Sequence, residues 1–485
     1  MDEIQQLFHS ELHEPKLARD VDPLVRGPHG VAHIELHDGA DPCAKKPFRT
    51  FGEHEAALQG IIDKYLARGW IVPSKSEWAS QAFVVPKPTK ADGSKDWRLV
   101  IDYRYLNSQT KGDPFPLPLI ENLIGLQADN RIWSILDLED GFHQMHLAPE
   151  SQPYTAFVTP WGTFQFTVLP MGIKNGPALF QRMIMWVLRS VPAACVYIDD
   201  VLVGSRGDSP AALLRNHFLD LSDVLHAFRR HKITAKGSKV YLYMLMVKFC
   251  GHILFDGQRR AAPSKLEALE KWSPDMIKTI THLRGFLGLA QYYSAYVRDF
   301  AALAHPLSEQ LKARKKSDRR VVWNDEMRAS FEALKRALLD NVVLSIADPN
   351  KSFVLEVDAS DYAVGGVLSQ EDAEGRLRPV SFFSRKLQGS PGKGQVGWHV
   401  REKETYAIVL CLKKFRSWLA STTVFIRVLT DHQSLQHWFT EDLNKQVAAV
   451  GRRGRWHEFL STFNLEVVYV PGKDHQVSDA LSRWS

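Results

Sequence analysis

Cysteine is scarce in this chain of 485 residues, and long hydrophobic runs are absent. Its cysteines form no Cys-X-X-Cys pair and no Cys/His cluster, so the sequence indicates neither a zinc module nor a disulfide framework and fits a reduced compartment. They are Cys43, Cys195, Cys250 and Cys411. The longest apolar stretch, around residues 241–247, is far too short to span a membrane. The first ten residues, MDEIQQLFHS, contain no targeting signal that we recognise, and we expect no membrane association.

A strong excess of one charge sign is also lacking. The chain has 61 Lys and Arg against 55 Asp and Glu, a net charge of +6. Hydrophobic residues make up 45% and charged residues 24%, which are ordinary globular values and exclude a disordered, collagenous or coiled-coil chain. The length favours about three domains. The mildly basic balance is compatible with a nucleic-acid partner but does not by itself indicate one.

The order of the predicted elements suggests several structural parts. Residues 1–50 are polar and resemble an extended arm. A helix is predicted from Glu53 to Arg68 by its apolar spacing. The next segment predicts a β-hairpin, with strands Gln81–Val85 and Trp97–Tyr103 and a basic turn between them. From about residue 340 onward, strands surround a predicted amphipathic helix, Glu402–Trp418, which indicates a separate α/β domain.

An acidic pair, Asp199 and Asp200, lies between two arms rich in Val, Ile and Leu. A solvated hairpin tip is one interpretation, because Asp tolerates turn geometry. The apolar arms favour a buried hairpin instead, and buried neighbouring carboxylates repel each other and need a counter-charge. A third carboxylate, Asp137, ends another apolar strand. Acids on adjacent strand ends can hold two Mg²⁺ ions about 4 Å apart, a pair that catalyses phosphoryl transfer.

Five segments resemble, in order, the motifs of the reverse transcriptase and ribonuclease H of gypsy-type long-terminal-repeat retrotransposons. They are Trp133–Gln144 (WSILDLEDGFHQ), Leu169–Arg182 (LPMGIKNGPALFQR), Tyr197–Asp200 (YIDD), Phe249–His252 (FCGH) and Phe286–Tyr293 (FLGLAQYY). The resemblance implies an α+β fold, with a right-hand polymerase of fingers, palm and thumb followed by an RNase H-like α/β domain with a mixed sheet. The domains implied are an N-terminal arm (1–50), fingers and palm (51–255), thumb and linker (256–338) and RNase H (339–485).

Within the polymerase part, the resemblance implies that Asp137, Asp199 and Asp200 bind the catalytic metals. Because successive side chains of a strand point to opposite faces, we expect Asp137 and Asp199 to be the main ligands and Asp200 to be less direct. Other implied roles are contact with the triphosphate of the incoming dNTP (Lys87, Arg98), a steric gate against ribonucleotides (Phe142), a dNTP-pocket position where retroviral relatives carry Gln (Met171), template contact (Arg104, Asn107) and the primer-grip turn (Cys250, Gly251). Solvated charge for the cations and core packing for Phe142 are the alternative interpretations.

The C-terminal part supplies a second acidic set. The resemblance to ribonuclease H implies metal binding and catalysis by Asp358, Glu404, Asp431 and Asp479, with Glu402 as the competing choice to Glu404. Asp361 fits a turn residue better than a ligand, and His475 lies too close to Asp479 to match the histidine of some retroviral relatives. A basic cluster with an aromatic neighbour, Trp456, has the composition of a nucleic-acid contact, although a solvated helix start with Trp456 in the core is the alternative. Its cations are Arg452, Arg453 and Arg455. The basic run Lys312–Arg320 fits either a linker or a duplex-tracking surface.

The resemblance thus implies an RNA- and DNA-templated DNA polymerase that extends a primer 3′-hydroxyl with dNTPs and cuts RNA in RNA–DNA hybrids. Two Mg²⁺ ions are implied at each active site, with Mn²⁺ as a substitute. The implied partners are an RNA template, a DNA primer, the hybrid and dNTPs, either for a monomer or for a homodimer, in the cytoplasm within a virus-like particle and with a nuclear phase. An RNA-templated RNA polymerase is disfavoured by Phe142 and the C-terminal acids. A non-catalytic nucleic-acid-binding relic is disfavoured because all seven acids are present.

Overall fold

The structure of the chain, a computed structural model, divides into two compact units. The first comprises residues 1–123 and 130–250, and the second comprises residues 124–129 and 251–485. The residues described are 23–87, 95–312, 320–340, 342–360, 363–390, 393–420, 422, 424–431, 435 and 452–470. No helix in this described part is long and apolar enough to cross a membrane.

The first unit is built around two β-sheets. The central sheet has four antiparallel strands in the order Ala235–Met244, Ile132–Leu138, Asp200–Ser205 and Ala194–Tyr197. The second sheet has five strands in the order Ile71–Pro73, Gly162–Phe166, Phe157–Thr159, Ser80–Pro86 and Trp97–Ile101. The short strands Val31–Ala32 and His146–Leu147 pair in parallel, and Met246–Phe249 is the last strand of the unit. The predicted hairpin is thereby confirmed, since Ser80–Pro86 and Trp97–Ile101 pair antiparallel.

Two amphipathic helices supply much of the buried apolar surface around the central sheet. The longer one, Pro210–His231, begins after Ser209, whose side chain accepts a hydrogen bond from the Ala212 N–H, and it ends at Lys232 in a left-handed conformation. The other, Gly176–Val187, buries Phe180, Met183 and Ile184. The remaining helices and helical turns are Pro23–His29, Glu53–Ala67, Arg104–Gln109, Gly141–Gln144 and Gln152–Thr155, and Ile120–Gly125 begins in this unit and ends in the second.

The second unit begins with a mainly helical part. Its strands His252–Phe255, Gln258–Ala261 and Leu344–Ser345 pair antiparallel. Its helices are Pro263–Glu270, Ile280–Tyr292, Phe300–Lys312 and Asp325–Leu339, with helical turns at Pro274–Met276 and Ser294–Tyr296. Large aromatic side chains on these helices, including Phe286, Phe331 and Tyr293, are fully buried and form the centre of this part.

A five-stranded sheet, named here the mixed sheet, forms the rest of the second unit. Its strand order is Leu377–Lys386, Ala363–Glu371, Phe353–Ala359, Ile426–Thr430 and Leu465–Tyr469, antiparallel among the first three and parallel among the last three. Helices Val400–Lys414, Arg416–Leu419 and Arg452–Leu460 and the short strands Gly389–Ser390 and Lys393–Gly394 complete the part. The sheet has the α/β character expected for this part of the chain, and the domain boundary near residue 340 stays a prediction.

The helix predicted over residues 402–418 differs from its expectation. It runs from Val400 to Lys414, and a separate turn follows at Arg416–Leu419. The helix is not amphipathic, because Lys403, Glu404 and Thr405 are buried together with its apolar residues. The reason is tertiary packing, since the helix contacts two strands of the mixed sheet and also helix Arg452–Leu460.

Candidate active sites

Three carboxylates meet at one end of the central sheet in the first unit. Asp200 lies directly opposite Asp137 in the antiparallel register of their strands, so these two side chains share a face. Asp199 occupies the turn that leads from strand Ala194–Tyr197 into Asp200, and its carbonyl accepts a hydrogen bond from the Leu138 N–H at 3.1 Å. Strand alternation predicted that Asp200 is the less direct ligand. In the observed register of the two strands, however, Asp200 is the residue that faces Asp137. The assignment of ligands stays a prediction.

The turn that presents Asp199 has an unusual backbone. Ile198 has a φ of 57°, a left-handed conformation that is costly for a β-branched residue. The side chain of Gln181, which is fully buried, accepts a hydrogen bond from the Ile198 N–H at 2.6 Å and donates one to the Val196 carbonyl at 3.1 Å. These two hydrogen bonds of Gln181 therefore fix the backbone of the turn. Gln181 lies within the segment Leu169–Arg182, but no local pattern in the sequence predicts a role for it.

The three acids influence one another electrostatically. Burial, followed by the charges of Asp199 and Asp137, raises the pKa of Asp200 to about 6. Burial raises the pKa of Asp199 as well, with a contribution from Asp137. The Lys239 ammonium lies 2.9 Å from the Asp137 carboxylate, and this hydrogen bond raises the pKa of Lys239. Sequence reasoning missed Lys239, because its strand pairs with Ile132–Leu138 through an irregular register that no local pattern shows.

The acids of this site fit a divalent cation chemically. They are hard oxygen ligands, two of them have raised pKa values, and a cation already lies against the third. Among the described residues, no three acidic, histidine or cysteine side chains converge tightly enough to form a metal site as they stand.

The side chains expected to contact the dNTP lie on three segments of the first unit. The Lys87 ammonium pairs with Asp96 at 2.8 Å across the hairpin, and Arg98 is exposed on the same strand pair. Phe142 lies on the helical turn Gly141–Gln144, half-buried, with its ring edge-on to Phe180 at 5.4 Å. Met171 is exposed on a loop. Their exposure leaves Arg98 and Met171 accessible to a ligand.

The two residues expected to contact the template already have protein partners. Arg104 donates two hydrogen bonds to Asp102, at 2.8 and 2.9 Å, and this pairing holds the pKa of Asp102 well below its usual range. The Asn107 amide donates to the Gly172 carbonyl and accepts from the Lys174 N–H, both at 2.8 Å. Asn107 thus clamps the loop that carries Met171.

The expected primer-grip turn spans the boundary of the two units. In the first unit, Cys250 has a left-handed φ of 46° and is partly buried. In the second, Gly251 has a φ of 79°, and a Cβ there would lie 3.1 Å from the Tyr293 hydroxyl. That hydroxyl donates to the Gly251 carbonyl at 2.9 Å, and burial raises the pKa of Tyr293 to about 12. The tight turn explains why glycine is required at position 251.

A second acidic group lies in the second unit. Asp358 is next to last in strand Phe353–Ala359, and Asp431 directly follows strand Ile426–Thr430, which pairs with it in parallel, so both acids lie at the same edge of the sheet. Glu404 faces them from the helix and is 3% exposed. Burial, followed by Asp431 and Asp358, raises the pKa of Glu404 to about 8, and its Oε2 has no hydrogen-bond partner among the described residues. This favours Glu404 over Glu402 and fits a site for a cation.

Several predicted residues cannot be placed. Asp479, Asp361 and His475 lie outside the described residues, as does most of the basic run after Lys312. Arg452 and Arg453 begin helix Arg452–Leu460, but their side chains lie outside the described part. Arg455 is exposed, whereas Trp456 is buried and stacks on Tyr406 with ring centres 5.6 Å apart. Trp456 therefore belongs to the core, as its alternative interpretation held.

Comparison with known families identifies two domains. Residues 85–254 match the family described as reverse transcriptase (RNA-dependent DNA polymerase), and residues 323–426 match the RNase H-like domain found in reverse transcriptase. The chain is 34% identical, over 91% of its length, to the retrovirus-related Pol polyprotein from transposon opus of Drosophila melanogaster. It is 32% identical, also over 91%, to the corresponding protein from transposon gypsy, and 33% identical, over 88%, to the Tf2-3 transposon polyprotein of Schizosaccharomyces pombe. It spans 43%, 42% and 30% of these relatives, which are much longer.

Solved structures with a similar fold are foamy viral protease–reverse transcriptases. One, in complex with double-stranded DNA, matches 91% of this chain and 88% of its own with a TM-score of 0.72 and 21% identity. Another, in complex with an RNA/DNA hybrid, matches 97% of this chain and 63% of its own with a TM-score of 0.69 and 20% identity. The α+β polymerase fold with an RNase H-like domain, predicted from the sequence, is thereby confirmed.

Proposed function

Because the chain belongs to the reverse transcriptase and RNase H family of gypsy-type long-terminal-repeat retrotransposon Pol polyproteins, we propose that it is an RNA- and DNA-templated DNA polymerase that also cuts the RNA of RNA–DNA hybrids. The polymerase extends the 3′-hydroxyl of a primer with dNTPs and releases pyrophosphate. The observation that carries this proposal is the register of Asp200 against Asp137, with Asp199 on the adjoining turn, inside the residues that match the reverse transcriptase family.

Asp137, Asp199 and Asp200 are the residues that would hold Mg²⁺ in the polymerase site. Bound Mg²⁺ supplies a Lewis acid that activates the primer hydroxyl and stabilises the leaving pyrophosphate. Asp199 and Asp200 carry raised pKa values, so a cation that offsets their repulsion also keeps them ionised. Lys239 contributes positive charge to the same carboxylate group through Asp137.

Selection of the nucleotide is assigned to Phe142, Lys87 and Arg98. The Phe142 ring is braced by Phe180, so a rigid aromatic wall below the sugar would exclude a 2′-hydroxyl. Lys87 and Arg98 lie on paired strands at one end of the hairpin and would bind the triphosphate. The Lys87–Asp96 pair must open for this role, and both partners are about 40% exposed, which makes that opening inexpensive.

The nuclease reaction is assigned to Asp358, Glu404, Asp431 and Asp479. The first three lie at one edge of the mixed sheet, and the Glu404 Oε2, which has no hydrogen-bond partner among the described residues, is suited to Mg²⁺. The Mg²⁺ bound by such acids supplies activation of water for phosphodiester hydrolysis. The hybrid cut here is the product that the polymerase site makes on an RNA template, so the two activities act in sequence.

Two single substitutions test the proposal by separating the activities. Asp199→Asn should abolish primer extension with dNTPs and Mg²⁺ while cleavage of a preformed hybrid survives. Asp358→Asn should abolish hybrid cleavage while primer extension survives. If the wild-type chain shows neither activity but binds primer–template, the non-catalytic relic is the correct interpretation. If either variant retains both activities at the wild-type level, the acid concerned is wrongly assigned.

A further inference from the structure

A cleft of about 280 Å³ lies in the second unit, beside the nuclease acids. Asp358 and Asp431 line it together with Glu356, and two residues from the helical part of the unit, Arg298 and Asp299, complete its wall. Neither Arg298 nor Asp299 belongs to the residues that match the RNase H-like family. The helical part therefore contributes side chains to the site where the acids lie.

A glycine opposite Asp358 contributes to the open space of the cleft. The residue directly opposite Asp358 in the antiparallel register is Gly365, and the next residue along that strand is also a glycine, Gly366. Cross-strand partners share a face of the sheet, so Gly365 places no side chain beside the Asp358 carboxylate. The glycine leaves space for a ligand between the strand and the segment that carries Arg298.

The segment carrying Arg298 is fixed to the mixed sheet. The Ala301 N–H donates to the Ser384 hydroxyl at 2.7 Å, at the start of helix Phe300–Lys312. On either side of Arg298 and Asp299, Val297 and Phe300 are buried in the same apolar cluster as Phe382 of strand Leu377–Lys386. Asp299 has a left-handed φ of 55°, which makes a sharp bend there. Arg298 is therefore exposed on a rigid turn at the edge of the site.

The charge of Arg298 is available to a ligand in the described part of the chain. In the part of the chain that the structure describes, its guanidinium takes part in no hydrogen bond or ion pair, although carboxylates line the same cleft. A guanidinium matches a phosphate with two parallel hydrogen bonds and is suited to holding a backbone in register. A polyanionic strand that approaches these acids meets repulsion, and a fixed cation at the rim offsets it.

We propose that Arg298 is a positioning residue that binds a backbone phosphate flanking the scissile bond, so that the helical part of the second unit helps to place the hybrid in the nuclease site. This inference rests on the proposed nuclease function. It assigns a task to a residue outside the matched RNase H-like domain, and it makes the rate of hybrid cleavage depend on a charge contributed from that part.

The test uses the full chain and compares Arg298→Ala and Arg298→Lys with the wild type. Arg298→Ala should lower kcat/KM for hybrid cleavage about tenfold or more, because it removes a charge-assisted phosphate contact. The dependence of log kcat/KM on log salt should become shallower by about one. Arg298→Lys should restore the salt dependence but only part of the rate. Primer extension, measured on the same samples, should be unchanged and shows that the variants fold.

A neutral phosphate identifies the contact directly. Replacing the phosphates of the hybrid by methylphosphonate, one at a time, should reveal one position near the cut that slows the wild type and has no further effect on Arg298→Ala. The matched control is Lys351→Ala, which removes an exposed cation at the far end of the strand of Asp358, about 20 Å away by strand geometry. This control should behave as the wild type.

Two results would overturn the inference in distinguishable ways. Arg298 binds no phosphate if Arg298→Ala cuts hybrids at the wild-type rate with the same salt dependence. The same conclusion follows if each methylphosphonate slows Arg298→Ala as much as it slows the wild type. In both cases the nuclease proposal stands. If the wild type leaves the hybrid intact under conditions in which it extends primers, the nuclease proposal is wrong, and this inference is wrong with it.

Discussion

The side-chain amide of Gln181 holds Ile198 in a left-handed conformation immediately before Asp199 and Asp200. The amide oxygen accepts the Ile198 N–H and the amide nitrogen donates to the Val196 carbonyl, so both ends of the amide are used within the core. The position of the acidic turn thus depends on a neutral residue of helix Gly176–Val187.

Gln181→Leu tests this support. Leucine has a similar volume but leaves the Ile198 N–H and the Val196 carbonyl without their partner, which costs about 1–3 kcal/mol of stability. Because the acids then shift, kcat for primer extension should fall about 10- to 100-fold. Gln59→Leu, on the exposed side of helix Glu53–Ala67, is the matched control and should leave both quantities unchanged. A wild-type kcat in Gln181→Leu would show that the turn keeps its geometry without the amide.

The loop that carries Met171 should depend on Asn107. Asn107→Ala removes both hydrogen bonds that clamp this loop, so the KM for dNTP should rise about tenfold while the Kd for primer–template changes little. Single-nucleotide incorporation at varied dNTP concentration measures the first quantity, and fluorescence anisotropy measures the second. Gln109→Ala is the control, because among the described residues the side-chain amide of Gln109 donates only to the Ser108 hydroxyl, at 3.4 Å. The opposite pattern, with weaker primer–template binding and an unchanged KM, would support the template contact predicted from the sequence.

The stability of the second unit should depend on pH through Glu404. Its pKa is about 8 in the folded chain against a usual value of 4.5, so the unfolded chain loses its proton first as the pH rises. Folding stability therefore falls between about pH 4.5 and pH 8, and the full penalty is present above that range. Glu404→Gln removes this penalty. Its melting temperature without divalent cations should exceed that of the wild type, by an amount that grows through this interval.

The same comparison tests cation binding. Saturating Mg²⁺ should raise the melting temperature of the wild type above pH 8 and should raise that of Glu404→Gln much less, because a cation offsets the buried charge. Glu332→Gln, an exposed residue of helix Asp325–Leu339, is the control and should show the wild-type response. A wild type and a Glu404→Gln variant with parallel pH profiles would show that this carboxyl titrates normally.

The N-terminal turn Pro23–His29 should be sensitive to one methyl group. A Cβ at Gly27, where φ is 76°, would lie 2.3 Å from the ring of Trp186, which is also covered by Arg189 at 3.8 Å. Gly39 has nearly the same φ, 77°, but a Cβ there meets nothing within 4 Å. Gly39→Ala should therefore cost about 1–2 kcal/mol from backbone strain alone. Gly27→Ala should cost a further 1–3 kcal/mol, roughly, from overpacking.

Urea unfolding followed by tryptophan fluorescence measures both variants. Equal midpoints for Gly27→Ala and Gly39→Ala would contradict the packing of the N-terminal turn on Trp186. A midpoint that is lower for Gly27→Ala than for Gly39→Ala, with an unchanged slope, would assign the difference to the contact with the ring.

The sequence predicted those parts of the sites that are local in the chain. Asp137 and Asp358 lie near the ends of apolar strands, and Asp199 and Asp200 lie between two apolar arms. The pattern of apolar and acidic residues therefore predicts that these acids lie at sheet edges. The ordered motifs supplied the fold class. The hairpin of residues 80–101 could also be predicted, because its strands and turn are neighbours in the chain.

The remaining features depend on tertiary contacts. Lys239 reaches Asp137 through an irregular strand register, Asn107 meets a loop 65 residues away, and the burial of Glu404 results from packing on several sides of its helix. Arg298 lies in a helical part whose sequence carries no nuclease motif. No local periodicity contains these relationships, since each joins residues that are distant in the chain.

Extension of a DNA primer on an RNA template tests the central claim most directly. With dNTPs and Mg²⁺, the wild-type chain should incorporate the complementary deoxynucleotides, and Asp199→Asn, prepared and folded in the same way, should incorporate none. A wild type that leaves the primer unextended, or an Asp199→Asn variant that extends it at the wild-type rate, would contradict the assignment of templated DNA synthesis to this carboxylate group.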